Sequence, residues 1–135
     1  MTQSGRAPAL ELMLDPNRDQ TRVVRAAVRS VFLDALPAVT LQDLLTIVSE
    51  LVSNAQNYGP GLPFRVSVDM DEDGRPGGEV QDFGRSAFAM PDHDGEPEGG
   101  LGLQIVDALA EEWGISGHDG LVWFRARRAE EGLEA

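Results

Sequence analysis

The stretch Thr40-Leu41-Gln42-Asp43-Leu44-Leu45-Thr46-Ile47-Val48-Ser49-Glu50-Leu51-Val52-Ser53-Asn54-Ala55-Gln56-Asn57 decides the fold. Leu41, Leu44, Val48, Leu51, Val52 and Ala55 recur at helical spacing, and Thr40 stands where a cap belongs, so a helix with one face in a core is expected. Placed at about 100° per residue, Asp43, Thr46, Glu50, Asn54 and Asn57 share a narrow arc on the opposite side. Beyond it the period changes. After a turn at Gly59-Pro60-Gly61, the apolar Phe64, Val66, Val68 and Met70 alternate strictly with Arg65, Ser67, Asp69 and Asp71, as in a half-buried strand. Asp73-Gly74 with Pro76-Gly77-Gly78 reads as a hairpin connection into a second strand, Glu79 to Phe83.

Upstream, Leu10, Leu12 and Leu14 alternate with Glu11 and Met13 as a short strand, and Asp15-Pro16-Asn17 supplies turn and cap chemistry. A helix is expected from Arg18 to about Leu36, with Val24, Val28, Val31 and Ala35 facing inward and Pro37 ending it. Arg18, Arg22, Arg25 and Arg29 fall on another face, a stripe that reads either as a solvated face or as a partner interface. From Gly84 to Gly100 the chain offers almost nothing to bury and carries Asp92, Asp94, Glu96 and Glu98, which marks an acidic loop. A third helix, Leu101 to about Glu112, and two strands, Trp113 to Gly117 and Leu121 to Ala126, complete the pattern.

The order β-α-α-β-β-loop-α-β-β has too few βαβ steps for a doubly wound parallel sheet. It predicts an α/β (α+β) two-layer sandwich, a mixed, largely antiparallel sheet with three helices on one face. No internal repeat is present, and the 135 residues read as one domain with a core over about 8–126 and flexible ends.

Composition narrows the chemistry. The chain carries 23 acidic against 11 basic side chains, a net charge of −12, which argues against a nucleic-acid binder, since those release counterions with a cationic surface. Cys is absent, which removes thiol nucleophiles, zinc-thiolate sites and iron–sulfur clusters. Every one of the 11 basic residues is Arg, so a Walker-A loop or a Schiff-base lysine is excluded. No signal-peptide core follows Met1 and no stretch approaches the ~18 apolar residues of a membrane span, so a soluble, cytoplasmic protein is expected.

Three short patterns stand in order: Glu50-x-x-x-Asn54 on a helix, Asp82-x-Gly84 at a strand end, and Gly100-x-Gly102 where a loop enters a helix. Such triplets arise by composition alone, and their order and placement carry the weight. Glu50 and Asn54 project side by side one helical turn apart. The carboxylate is suited to accept a proton from an attacking hydroxyl, and the amide oxygen to join the shell of Mg²⁺. Asp82 can accept a hydrogen bond from an exocyclic amine such as that of adenine, and Gly84 lets the chain turn or approach a flat ligand without a Cβ in the way. Gly99-Gly100-Leu101-Gly102 presents successive backbone N–H groups at a helix N-terminus, an anion site that needs no Lys.

Together, Glu50-Leu51-Val52-Ser53-Asn54-Ala55, Val80-Gln81-Asp82-Phe83-Gly84, Glu98-Gly99-Gly100-Leu101-Gly102-Leu103 and Trp113-Gly114 resemble the N, G1 and G2 boxes of the GHKL (histidine kinase/HSP90-like) ATPase superfamily. Within it the chain is most similar to RsbW-like anti-sigma regulatory factors, serine-protein kinases of the short actinobacterial type, over about residues 8–126. The resemblance implies a histidine kinase-like ATPase fold that binds ATP with Mg²⁺ between a helical layer and a lid, the lid being residues 85–99. By position it makes Glu50 the general base, Asn54 the Mg²⁺ ligand and Asp82 the adenine-reading carboxylate. Gly84, Gly99, Gly100, Leu101, Gly102 and Leu103 then shape the pocket and lid, and Asn57 and Tyr58 stand where relatives place a basic residue and a His or aromatic. It further implies sequestration of a sigma factor, phosphorylation of a serine on a STAS-domain anti-anti-sigma protein, and a homodimer in which the first strand and helix take part. Departures are local: Asn57 supplies no charge, Leu101 stands where many relatives have Arg, and the lid is acidic. The alternative they leave open is a degenerate regulator that binds protein partners without kinase activity. A histidine kinase's own ATP-binding domain fits less well, because no helix upstream of residue 40 carries a His.

Overall fold

The computed structural model describes residues 8–58, 61–82, 100–116 and 120–127 of the chain. In chain order the elements are β1 (Leu10–Leu14), α1 (Thr21–Phe32), α2 (Ala38–Tyr58), β2 (Phe64–Met70), β3 (Pro76–Gln81), α3 (Gly100–Leu109), β4 (Ala110–Ser116) and β5 (Leu121–Ala126). The strands form one sheet in the order β1-β2-β3-β5-β4, and every pairing among the described residues is antiparallel. The largely antiparallel sheet expected from sequence is thereby borne out, with no parallel pairing among the described residues. The crossover through α3 would have laid β4 parallel to β3, but it is β5, the return arm of the last hairpin, that docks on β3.

One face of the sheet is apolar. Leu12, Val66, Val80, Val122 and Ile115 pair in sequence across all five strands. Side chains from all three helices share one core cluster with this face, including Val24, Val28 and Phe32 of α1, Leu44, Ile47, Val48 and Leu51 of α2, and Val106 of α3. The helices therefore cover one side, as the periodicity predicted.

Boundaries move for identifiable reasons. The buried row of α1 is Val24, Val28 and Phe32, while Val31 and Ala35 are exposed. A repeat of four carries the large aromatic ring into the core and turns Val31 outward. The helix starts at Thr21, not Arg18, because its first free N–H is met by Asp19, whose Oδ1 accepts from Thr21 N at 3.0 Å. It ends at Phe32, whose carbonyl accepts from both Ala35 N and Leu36 N in a closing turn. Thr40 does not cap α2, which already begins at Ala38 with Leu41 N donating to Pro37 O at 2.9 Å. The arginine stripe is also broken: Arg18 lies outside α1, and Arg25 Nη1 donates to Leu45 O and Ser49 Oγ at 3.3 and 2.8 Å, fastening α1 to α2. At the other end α3 stops at Leu109 and β4 begins at once, with an irregularity between Ala110 and Glu112. Glu111 leaves the expected helix to pair with Arg75 at 2.9 Å.

The β2–β3 hairpin turns earlier than Pro76-Gly77-Gly78. Asp71 Oδ1 accepts from Asp73 N and Arg75 N, both at 2.9 Å, and Gly74 takes the positive φ of 81° that closes the turn. Burial pushes the Asp71 carboxyl up, but those two backbone bonds and the Arg125 and Arg75 charges outweigh it and hold its pKa below the ordinary value. Pro76, Gly77 and Gly78 then belong to β3, where the glycines serve close approach. Arg125 crosses over Gly77 to bond Asp69 on β2 at 2.9 Å, and a Cβ at Gly77 would meet its Cζ at 2.5 Å. On the same solvent-side face Arg65 reaches Glu79, Gln81 and Ser67 at 3.1, 2.9 and 3.3 Å. These flat-lying guanidinium groups explain why Ser67 and Asp69 are buried although they alternate away from the core.

A Cβ added to Gly78 would land on the Ser67 carbonyl oxygen of the neighbouring strand, whereas one added to Gly74 meets open space. Urea denaturation is expected to show Gly78→Ala losing roughly 3 kcal/mol through forced strand displacement, and Gly74→Ala only about 1–2 kcal/mol from its left-handed backbone.

Candidate functional site

The polar arc of α2 narrows when its side chains are placed. Thr46 Oγ1 donates to Gln42 O on its own helix at 3.0 Å. Asp43 faces the far end of the molecule: burial raises its carboxyl pKa, opposed by the nearby Arg127, which itself donates from Nη2 to Ala108 O at the C-terminus of α3. Glu50, Asn54 and Asn57 remain in the lower half of the arc. Glu50 is half-buried, Asn54 is 5% exposed, and Asn57 is exposed with its Nδ2 donating to Ser53 Oγ at 3.2 Å. Tyr58 is the last residue of α2.

Asn54 stands out energetically. It sits where the polar arc meets the apolar face, and its Nδ2 is buried with no hydrogen-bond partner among the described residues. An unsatisfied buried amide costs about 1–3 kcal/mol, so the helix carries a polar atom that its own fold does not use.

Asp82 follows β3 directly and is 1% exposed, with its N–H donating to Gly120 O at 2.9 Å just ahead of β5. That bond ties the end of β3 to the start of β5 and fixes where the Asp82 side chain leaves the sheet. Gly100, Leu101 and Gly102 form the first turn of α3, and Leu103 packs against the core. Because α2 packs on both β3 and α3, the three elements that bear the sequence patterns are neighbours. Gly84, Gly99 and the acidic stretch 85–99 lie outside the described residues.

Among the described residues no group of three or more His, Asp or Glu side chains could hold a metal unaided. An ion such as Mg²⁺ keeps most of its oxygens from water and phosphate and takes one or two from protein. The amide of Asn54 and the carboxylate of Glu50 fit that description.

Two features escaped the sequence reading. Gln56 Oε1 accepts the Gln20 backbone N–H at 2.7 Å across 36 residues, supplying a cap that α1 lacks from its own N-cap side chain. Trp113 Nε1 donates to Asp107 Oδ1 at 2.8 Å, joining β4 to α3. Gln56 left no local signal, since its partner is a main-chain group on another element.

The chain belongs to the Histidine kinase-like ATPase domain family, whose profile matches residues 14–126. Among solved structures it is similar to the crystal structure of the RsbU and RsbW domains of Rv1364c from Mycobacterium tuberculosis, with a TM-score of 0.66 and 23% sequence identity. The likeness covers 89% of this chain and 32% of that one, so the chain spans about a third of that relative, and at this identity it speaks for the fold. Comparison with curated proteins returns no match.

Replacing Asn54 by Leu removes the orphaned amide. Urea denaturation without nucleotide is expected to find Asn54→Leu as stable as the parent or more stable by up to about 1 kcal/mol, where an ordinary buried, hydrogen-bonded Asn would lose 1–3 kcal/mol.

Proposed function

We propose that the protein is an ATP-binding anti-sigma regulatory factor that sequesters a sigma factor and phosphorylates a serine of a STAS-domain anti-anti-sigma partner. The observation that carries this reading is Asn54: a buried amide left unpartnered, one helical turn from a half-buried carboxylate, in a histidine kinase-like ATPase domain. The similarity to a structure containing an RsbW domain supports the regulatory half.

In this reading the side-chain oxygen of Asn54 would hold Mg²⁺ and its unpartnered Nδ2 would donate to a phosphate oxygen, while Glu50 accepts the proton of the attacking serine hydroxyl as that oxygen takes the γ-phosphoryl group and the bond to the departing ADP breaks. ATP supplies the phosphoryl group, and Mg²⁺ offsets the charge on its phosphate oxygens. Asp82, held at the end of β3, accepts a hydrogen bond from the adenine amine, and the N–H groups opening α3 at Gly100, Leu101 and Gly102 face phosphate without help from any Lys. The same reading assigns Gly84, Gly99, Asn57, Tyr58 and Leu103 to nucleotide binding, and of these Leu103 packs against the core. Homodimerisation through the first strand and helix is supported by Met13 of β1 and Val23 and Val31 of α1, which are 60%, 52% and 41% exposed. The reading makes the protein a cytoplasmic regulator; no described helix is long and apolar enough to cross a membrane. A second reading, a regulator that binds partners without phosphoryl transfer, is favoured by Asn57, whose amide is spent on Ser53 and brings no charge to the rim.

Glu50→Ala is expected to keep ATP affinity within about threefold and to lower phosphoserine formation on the STAS-domain partner by 10²-fold or more, whereas Asn54→Ala loses Mg-ATP binding. Calorimetry with ATP and a phosphoserine assay on the two variants read the split. A parent chain that binds ATP and holds its partner without forming phosphoserine would establish the second reading instead.

A further inference from the structure

We propose that the cleft between the β1–α1 connection and the outer side of α2 seats the hydroxyl-bearing polypeptide segment that the protein phosphorylates; this rests on the function proposed above. The cleft measures about 400 Å³, with Asn17, Arg18 and Asp19 on one wall and Ser53, Gln56 and Asn57 of α2 on the other.

The cleft lies beside Glu50. Ser53 and Asn57 stand three and seven residues after Glu50, and side chains three or four apart on a helix have Cβ atoms about 5–6 Å from one another. A segment lying in the cleft thus passes within one helical turn of the Glu50 carboxylate. The other flank of α2 is closed, since Ile47, Leu51 and Ala55 are buried in the core. A protein substrate has to reach Glu50 from the solvent side of α2, and the cleft opens there.

Its walls are polar. Beside the Asn57 amide, whose Nδ2 already donates to Ser53, the walls offer the amides of Asn17 and Gln56, the hydroxyls of Ser53 and Thr21 and one charge of each sign, which suits the backbone and polar side chains of an extended peptide. Among the described residues no carboxylate lies within ion-pair reach of Arg18, while Arg65, Arg75 and Arg125 are each paired. In a chain of net charge −12, an unspent guanidinium at this edge offsets the repulsion that an acidic partner loop would meet.

The loop side of the cleft is preorganised. Asp15 Oδ1 accepts from Asn17 N at 2.9 Å, Asp19 Oδ1 from Thr21 N at 3.0 Å, and Gln56 Oε1 from Gln20 N at 2.7 Å. The loop wall is fixed before anything binds, so little ordering remains to oppose association. Gln56 acts as a positioning residue that holds this wall at its distance from α2.

The test is steady-state phosphorylation of a serine-bearing STAS-domain protein by the full chain, with ATP affinity measured in parallel by calorimetry and folding followed by circular dichroism. Ser53→Tyr fills the cleft and Arg18→Glu reverses its free charge. Each is expected to raise the KM for the acceptor protein about tenfold while kcat and ATP affinity stay within about twofold. Gln56→Ala should raise the same KM, and Gln56→Glu, which keeps an accepting oxygen, should restore it. Asp34→Ala, exposed beyond the far end of α1, should change neither constant. An unchanged acceptor KM in folded Ser53→Tyr and Arg18→Glu overturns the cleft assignment and leaves the kinase reading standing. A parallel loss of ATP affinity assigns the cleft to the nucleotide and overturns it equally. Absence of phosphoserine with the parent chain overturns both.

Discussion

The 21-residue helix α2 is buried along one side against β3, β5 and α3, and this packing constrains everything around it. Leu44, Ile47, Val48, Leu51 and Val52 are each 1% exposed or less, and fully burying a side chain of that kind contributes about 1.5–3 kcal/mol. A helix held so firmly cannot rotate, so the polar arc has only one direction to face. Asn54 lies on the border between the two sides. Rotating α2 to free its amide would expose the apolar row, and the apolar row wins.

The sheet supplies the counterpart of that fixed helix. Its apolar face meets α2, while its other face is covered by its own arginines: Arg125 spans from β5 to Asp69 over Gly77, and Arg65 ties β1, β2 and β3 together. Two ion-paired guanidinium groups lying flat do for this face what a third layer would do in a larger protein. With both faces settled, the end of β3 is fixed, and with it Asp82.

Period carried the sequence reading where it was strong. Leu41 to Ala55 and Phe64 to Met70 were legible because each has one apolar face and a clean repeat of 3.6 or 2, and β2 ends one residue before the alternation does. Legibility failed where long-range contacts override local signals. Pro76-Gly77-Gly78 looks like turn chemistry, yet these residues lie in a strand because Arg125 and Phe124 demand backbone without side chains there. Phe32 displaced Val31 from the core because a ring fills more volume than a valine at the end of a four-residue row. The sheet was legible as largely antiparallel but not strand by strand, because the partner of β3 depends on which arm of a hairpin docks, and nothing local encodes that. The candidate site was legible in its spacing, since Glu50 and Asn54 share a face by helix geometry alone. Its energetic peculiarity was not, because burial of one amide atom depends on neighbours from other elements. Gln56 was invisible for the same reason.

If the unpartnered amide of Asn54 belongs to a nucleotide site, ATP binding must depend on Mg²⁺. Calorimetric titration of the full parent chain with ATP, with Mg²⁺ present and again with Mg²⁺ chelated, tests this most directly. Saturable binding of one ATP per chain that weakens by about tenfold or more on chelation is the predicted result. No saturable heat in the presence of Mg²⁺, or the same affinity with and without it, would contradict the assignment.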